Sequence, residues 1–181
     1  MNAIDLIQRI HQHRAWANER LLAAAGTITA DQLSREFPIG QGSIWKSLLH
    51  LYAAEFVWLG ALLGDDNPVV PGDLPGRIPG NQQGTGGIAS FADLREKWAE
   101  LEQRWRHYLA DLPSDALDEP VYKFAFASGQ RFATRRADVL LHVCTHAQYT
   151  TAQVINMLRQ SGVAPLPETM LISLARSEVS R

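Results

Sequence analysis

Between Ser43 and Leu63 the chain carries two apolar rows at once. Ile44, Leu48, Leu51, Trp58 and Leu62 form one, and Trp45, Leu49, Tyr52, Phe56 and Leu59 form the other. The spacing is helical, and a helix apolar around so much of its circumference has to be covered on several sides. Ser43 supplies an N-cap for it. A central helix of this kind needs partners, and three further segments offer them. Ile4, Ile7, Ile10, Ala17, Leu21 and Ala24 mark a first helix from Ile4 to about Ala25, with Gly26 as C-cap. Phe91, Leu94, Trp98, Leu101, Trp105, Tyr108 and Leu112 lie on one stripe of a third, where the aromatics read as core, as does Trp16 in the first. A fourth runs from Ala137 to near Gly162, with Pro165 and Pro167 beyond it.

Two segments break this pattern. "GDDNPVVPGDLPGRIPGNQQGTGG", residues 64–87, is dense in Gly and Pro and reads as a long excursion over the bundle, close to a functional site. Its "GTGG" is no phosphate loop, because no Gly-Lys-Ser/Thr follows it. In "EPVYKFAFASGQRFATRR" the period shifts to two around a Ser128-Gly129 turn, which predicts a short β-hairpin. "PETMLISLARSE" predicts a last short helix. The expectation is an all-α, up-down four-helix bundle with a long crossover loop and a small hairpin before the last long helix. It forms one domain over residues 1–181.

Charge and composition exclude several functions. A net charge of -2, with no basic stripe, gives no means of neutralising phosphates, so no nucleic-acid partner is expected. No stretch approaches the ~20 apolar residues of a membrane span. Asp5 and Arg9 interrupt the first apolar run, unlike a signal peptide. The one cysteine, Cys144, precludes an intrachain disulfide and suits a reducing compartment. A cytoplasmic protein is the expectation.

The chemistry lies in "LLHVCTHAQYTTAQ", residues 140–153. His142 and His146 stand about 40° apart on one helical row, which Thr150 continues. Cys144 is about 160° from His146, a poor partner for it. His50 lies on the central helix, and its neighbours one turn away, Lys46, Ser47, Ala53 and Ala54, are mostly small and leave room for an ion or ligand. Two histidines at i,i+4 with a third from a facing helix would make a three-His site with open positions. The competing reading is of core histidines with satisfied hydrogen bonds. Glu55 is about 140° from His50 and suits a buried partnership with Asn18 or Arg14 better than ligation beside it. His11, His13 and His107 show no ligand spacing and are expected in packing or surface roles.

Three segments resemble the DinB-like family of damage-inducible four-helix-bundle proteins. "WANERLL" is similar to the family's Trp-Ala-Asn-x-x-Leu-Leu, and "HLYAAEFVWL" to its His-Leu-x-x-x-Glu-x-x-Trp. "LLHVCTHAQYTTAQVINMLRQSG" is similar to its Leu-x-His-x3-His-x-x-Tyr-His-Arg-Gly-Gln segment. The resemblance implies a homodimeric bundle holding a divalent metal, often nickel or zinc, on one His of the second long helix and two of the fourth. It also implies a thiol S-transferase or isomerase type of activity in some members, and for this chain a transferase or hydrolase type of reaction is the expectation. Carried over, His50 and His146 match two ligands, and Thr150 stands where the third histidine is expected. A neutral hydroxyl is a far weaker ligand for nickel or zinc than imidazole. Three arrangements follow. His142 replaces the missing ligand one turn away, or His50 and His146 bind metal weakly with waters, or the site is metal-free. In the first two, a thiol or water would be activated, with His142 or Tyr149 assisting proton transfer. In the last, the chain is a binding or stress-response module.

Overall fold

A computed structural model describes residues 2–179. The helices form where the apolar rows place them: α1 Ala3–Ala25, α3 Ile44–Leu62, α4 Phe91–Ala110 and α5 Arg136–Gln160. Their starts are set by side-chain caps. Asn2 and Asp5 exchange reciprocal hydrogen bonds at α1, and Ser43 and Ser90 accept from the backbone of Lys46 and Asp93 at α3 and α4. A short α2, Ala30–Ser34, has a capping box from Thr29 and Gln32 that the periodicity reading passed over, since five residues hold too little apolar pattern to register. Gly26 does cap α1, but at φ -70° rather than left-handed.

The bundle is a ring in which α1 and α3 both pack on α5, and α4 closes the circuit against both. Its centre holds Leu21, Ile44, Leu48, Leu51, Leu94, Trp105, Leu140 and Leu158, each essentially excluded from solvent. The doubly apolar α3 is the most thoroughly covered of the four, as its sequence requires. Trp16 departs from expectation. It is half-buried, at the edge of a groove between α1 and α4, with the Arg20 guanidinium 5.0 Å from its ring centre.

The hairpin pairs β1 Pro120–Phe124 with β2 Arg131–Arg135 in antiparallel register, Tyr122 opposite Ala133, and Gly129 turns at φ 64°. It is tied to the long excursion by Phe124 N–H donating to the Asp66 carbonyl and by the Arg131–Asp66 ion pair, each at 2.8–2.9 Å. The final helix, α6 Leu171–Val179, is docked by polar contacts: His13 donates to the Thr169 carbonyl at 2.8 Å, and Arg9 pairs with Glu178.

The core also contains a charged cluster. Arg14 Nη1 donates to Glu55, and Arg14 Nη2 donates to Glu102 at 2.7 Å. Asn18 Nδ2 and Trp98 Nε1 donate to the Glu55 carboxylate at 2.7 and 3.2 Å. Glu55 thus has the partners its position suggested. Arg14 Nε faces His11 Nδ1 at 3.4 Å, and His11 Nε2 donates to the Leu140 carbonyl at 3.1 Å. Each donor meets an acceptor only if His11 is neutral. Burial, reinforced by the Arg14 charge, lowers its pKa to about 3, which keeps it so. His11 and His13 therefore have packing roles, and His107 lies on the surface beside Asp111.

Candidate functional site

The seam between α3 and α5 brings together two of the three candidate histidines. His50 Nε2 and His146 Nε2 stand 3.2 Å apart, with ring centres 5.1 Å apart and planes at 72°. They come from helices 96 residues apart in sequence, so packing alone makes the pair. His142, one turn before His146, is more exposed. Its ring centre is 5.8 Å from that of His146 and 5.3 Å from that of Trp58, which it meets edge-on. Lys123 of the hairpin covers Trp58, with Nζ 5.6 Å from the ring centre.

The second nitrogen of His50 is also engaged. The Pro79 carbonyl lies 2.9 Å from His50 Nδ1 and can only accept, so Nδ1 carries a hydrogen. In neutral His50 the Nε2 lone pair then faces His146 Nε2 at 3.2 Å and accepts its N–H. The long Gly/Pro segment supplies this carbonyl and so lies against His50. It comes very close: a Cβ at Gly80 would lie 2.7 Å from His50 Cα, and φ there is +86°.

Burial depresses the His146 pKa, and the neighbouring His50 and His142 lower it further, to about 4. Burial also lowers that of His142. Both imidazoles are neutral near pH 7, the form that can donate a lone pair to an ion or accept a proton. Thr150 is 2% exposed, one turn beyond His146 on α5. Tyr149, in contrast, is 68% exposed on the outer side of α5. Cys144 is buried, and burial pushes its thiol up to about 12, an inert state.

Whether the His50–His146 pair fits a metal follows from its spacing. Two nitrogens each about 2.0–2.1 Å from one ion at a tetrahedral angle stand about 3.3 Å apart. The observed 3.2 Å matches two ligands of one ion, and it equally matches an Nε2–H···Nε2 hydrogen bond between the rings. The donor set is incomplete beyond them: among the described residues, no group of three or more His, Cys, Asp or Glu side chains is arranged to hold a metal. A cavity of about 890 Å³ lies on the opposite seam between α1 and α4, with Asn18, Trp98 and Glu102 among its lining. It contains neither His50 nor His146.

What the sequence reading missed is the carbonyl of Pro79 and the side chains that hold it. A backbone acceptor from a loop 29 residues away leaves no periodicity to detect.

The architecture and the histidine seam can be set beside known proteins. No curated protein matches the chain. Among solved structures, one described as the conserved protein of locus from Enterococcus faecalis matches with a TM-score of 0.62 at 14% identity. The match covers 84% of this chain and 94% of that one. At that identity the likeness is one of fold. The family model of the DinB superfamily matches residues 13–154, a span that contains His50, His142, His146 and Thr150. The chain belongs to the DinB superfamily.

Proposed function

We propose that the α3–α5 seam is the active site of a metal-dependent enzyme of thiol S-transferase or hydrolase type. His50 and His146 hold a divalent nickel or zinc ion. The observation that supports this most directly is the 3.2 Å approach of two Nε2 atoms from facing helices. The Nδ1 hydrogen bond from His50 to Pro79 strengthens the reading, because metal-ligating histidines commonly donate their second N–H to such a partner. His142 is the candidate third ligand. It sits on the same row as His146, and its ring would leave the edge of Trp58 to join the pair.

When bound, the ion would act as a Lewis acid that lowers the pKa of a thiol or water. The protein's own groups do the rest. The Pro79 carbonyl fixes which His50 nitrogen faces the site, and Trp58 packs against His142 beside it. A neutral His142, while not ligating, can accept the proton released from the nucleophile. The remaining elements of the proposal are a cytoplasmic setting and a homodimer, for which the family resemblance is the support. Light scattering should show a dimer at micromolar concentration, and a monomer throughout would reject that part.

The test is metal content after reconstitution with nickel or zinc. Wild type should take up the ion stoichiometrically, and His50→Ala and His146→Ala should each lose most of it. A second reading has its own supporting observation: Thr150, buried at 2% exposure, occupies the family's third ligand position. On that reading the chain is a metal-free binding or stress-response module, and a chelator leaves its melting temperature unchanged.

A further inference from the structure

The segment over His50 is built around one carboxylate. Asp73 Oδ2 accepts from Gly80 N–H at 2.6 Å, and Asp73 Oδ1 accepts from Gln82 N–H at 2.9 Å and from Gln82 Nε2 at 2.8 Å. Gln82, at φ +49°, in turn accepts from Ile88 N–H at 2.6 Å and donates to the Pro71 carbonyl at 3.1 Å. The stretch from Pro71 to Ile88 is therefore cross-tied, despite its Gly/Pro composition. Asp73 grips Gly80, directly after Pro79, and Gln82 two residues further on, and the Pro79 carbonyl rests 2.9 Å from His50 Nδ1. Gly80 seals the contact, since its left-handed backbone lies against the His50 main chain with no room for a Cβ.

We propose that Asp73 is the positioning residue of the histidine site: by holding Gly80 and Gln82 it places the Pro79 carbonyl on His50 Nδ1 and so keeps the His50 Nε2 lone pair aimed at His146. The carboxylate touches neither histidine. Its effect travels through one peptide carbonyl, which fixes the tautomer as well as the ring orientation. An ordinary structural anchor would stabilise the loop without selecting a tautomer, and this difference makes the role measurable. The part concerning metal affinity rests on the proposed metal-binding function, whereas the tautomer part does not.

The experiment uses full-length protein labelled with 15N-histidine, with long-range proton–nitrogen correlation reading the His50 tautomer. Zinc affinity is measured in parallel by competition with a chromophoric chelator. Wild type should show His50 protonated at Nδ1. Asp73→Ala should give a mixture of tautomers and a zinc affinity lower by roughly 10–100-fold, the usual cost of losing an outer-shell partner. Asp73→Asn, which keeps one acceptor oxygen, should fall between the two. Gly80→Ala serves as an independent route if Asp73→Ala does not fold, because a Cβ at position 80 must push the loop off His50 while leaving the carboxylate in place. It should produce the same mixed tautomer. Retention of the pure Nδ1–H form in Asp73→Ala or Gly80→Ala, with the loop amide resonances shifted, would overturn the assignment. If wild type bound no zinc yet its tautomer followed Asp73, the positioning role would stand and the metal reading would fall.

Discussion

At the scale of residues, the histidines divide by what burial does to their protons. His11 and His146 both have depressed pKa values, about 3 and about 4, with burial as the leading cause. The unfolded chain binds a proton at each near 6.5, and the folded chain does not until far lower pH. Above about 6.5 both states are neutral at these positions, so neither histidine makes stability depend on pH there. As pH falls through that value, the unfolded state gains protons first, and stability declines until the folded pKa values are reached. Thermal melts should therefore show a falling melting temperature between about pH 6.5 and 4. His146→Gln should have a shallower slope over that window, and a slope identical to wild type would remove His146 from the account. Thr150 carries the other residue-scale lesson. Its departure from the family pattern is visible in the sequence: a buried threonine stands where the third imidazole is expected. His142 is then the remaining candidate ligand, its ring centre 5.8 Å from that of His146 and 5.3 Å from that of Trp58.

Among the elements, the coupling of α1, α3 and α4 depends on a charge cluster. Glu55 is 1% exposed and takes hydrogen bonds from Arg14, Asn18 and Trp98, three donors from two helices. Burial raises its pKa, while Arg14 and Asn18 oppose the shift. Burial works equally against the Arg14 charge, yet Glu55 and Glu102 together raise the Arg14 pKa. Removing Glu55 leaves the buried Arg14 charge to Glu102 alone and strands the Asn18 and Trp98 donors. Glu55→Ala should cost about 3–5 kcal/mol, as for other broken buried pairs. For a domain of this size that corresponds to a fall in melting temperature of roughly 6–20 °C. A loss within the error of a melt would show that the cluster is not holding the helices together. The pairing was legible before the structure because Glu55 sits on the wrong side of its helix for His50, which directed it to first-helix groups such as Asn18 or Arg14; the Trp98 donor from α4 was not foreseen. The helices themselves were legible for a similar reason: rows such as Ile44–Leu48–Leu51 constrain burial directly. Short α2 and the right-handed Gly26 cap were not, since both are settled by one or two local hydrogen bonds. Nor was the grip of Asp73 on Gly80, because a contact from loop to backbone follows from no spacing rule.

At the scale of the whole molecule, the ring of four helices creates two unlike seams. The α1–α4 seam opens into a groove above the charge cluster, whereas the α3–α5 seam closes on the histidine pair under a cross-tied loop. No helix among the described residues is long and apolar enough to cross a membrane. If the histidine seam holds an ion, that ion ties α3 to α5 and stabilises the bundle by mass action. Saturating zinc at 100 times its Kd should add about 2.7 kcal/mol to wild type, and nothing to His146→Ala. A chelator should reverse the gain.

The measurement that bears most directly on the central claim is elemental analysis of the purified chain after reconstitution with nickel or zinc, alongside His50→Ala and His146→Ala. The account predicts close to one ion per chain for wild type and a large loss in both variants. Less than about a tenth of an equivalent in wild type, far below the occupancy of a genuine protein metal site, would contradict it.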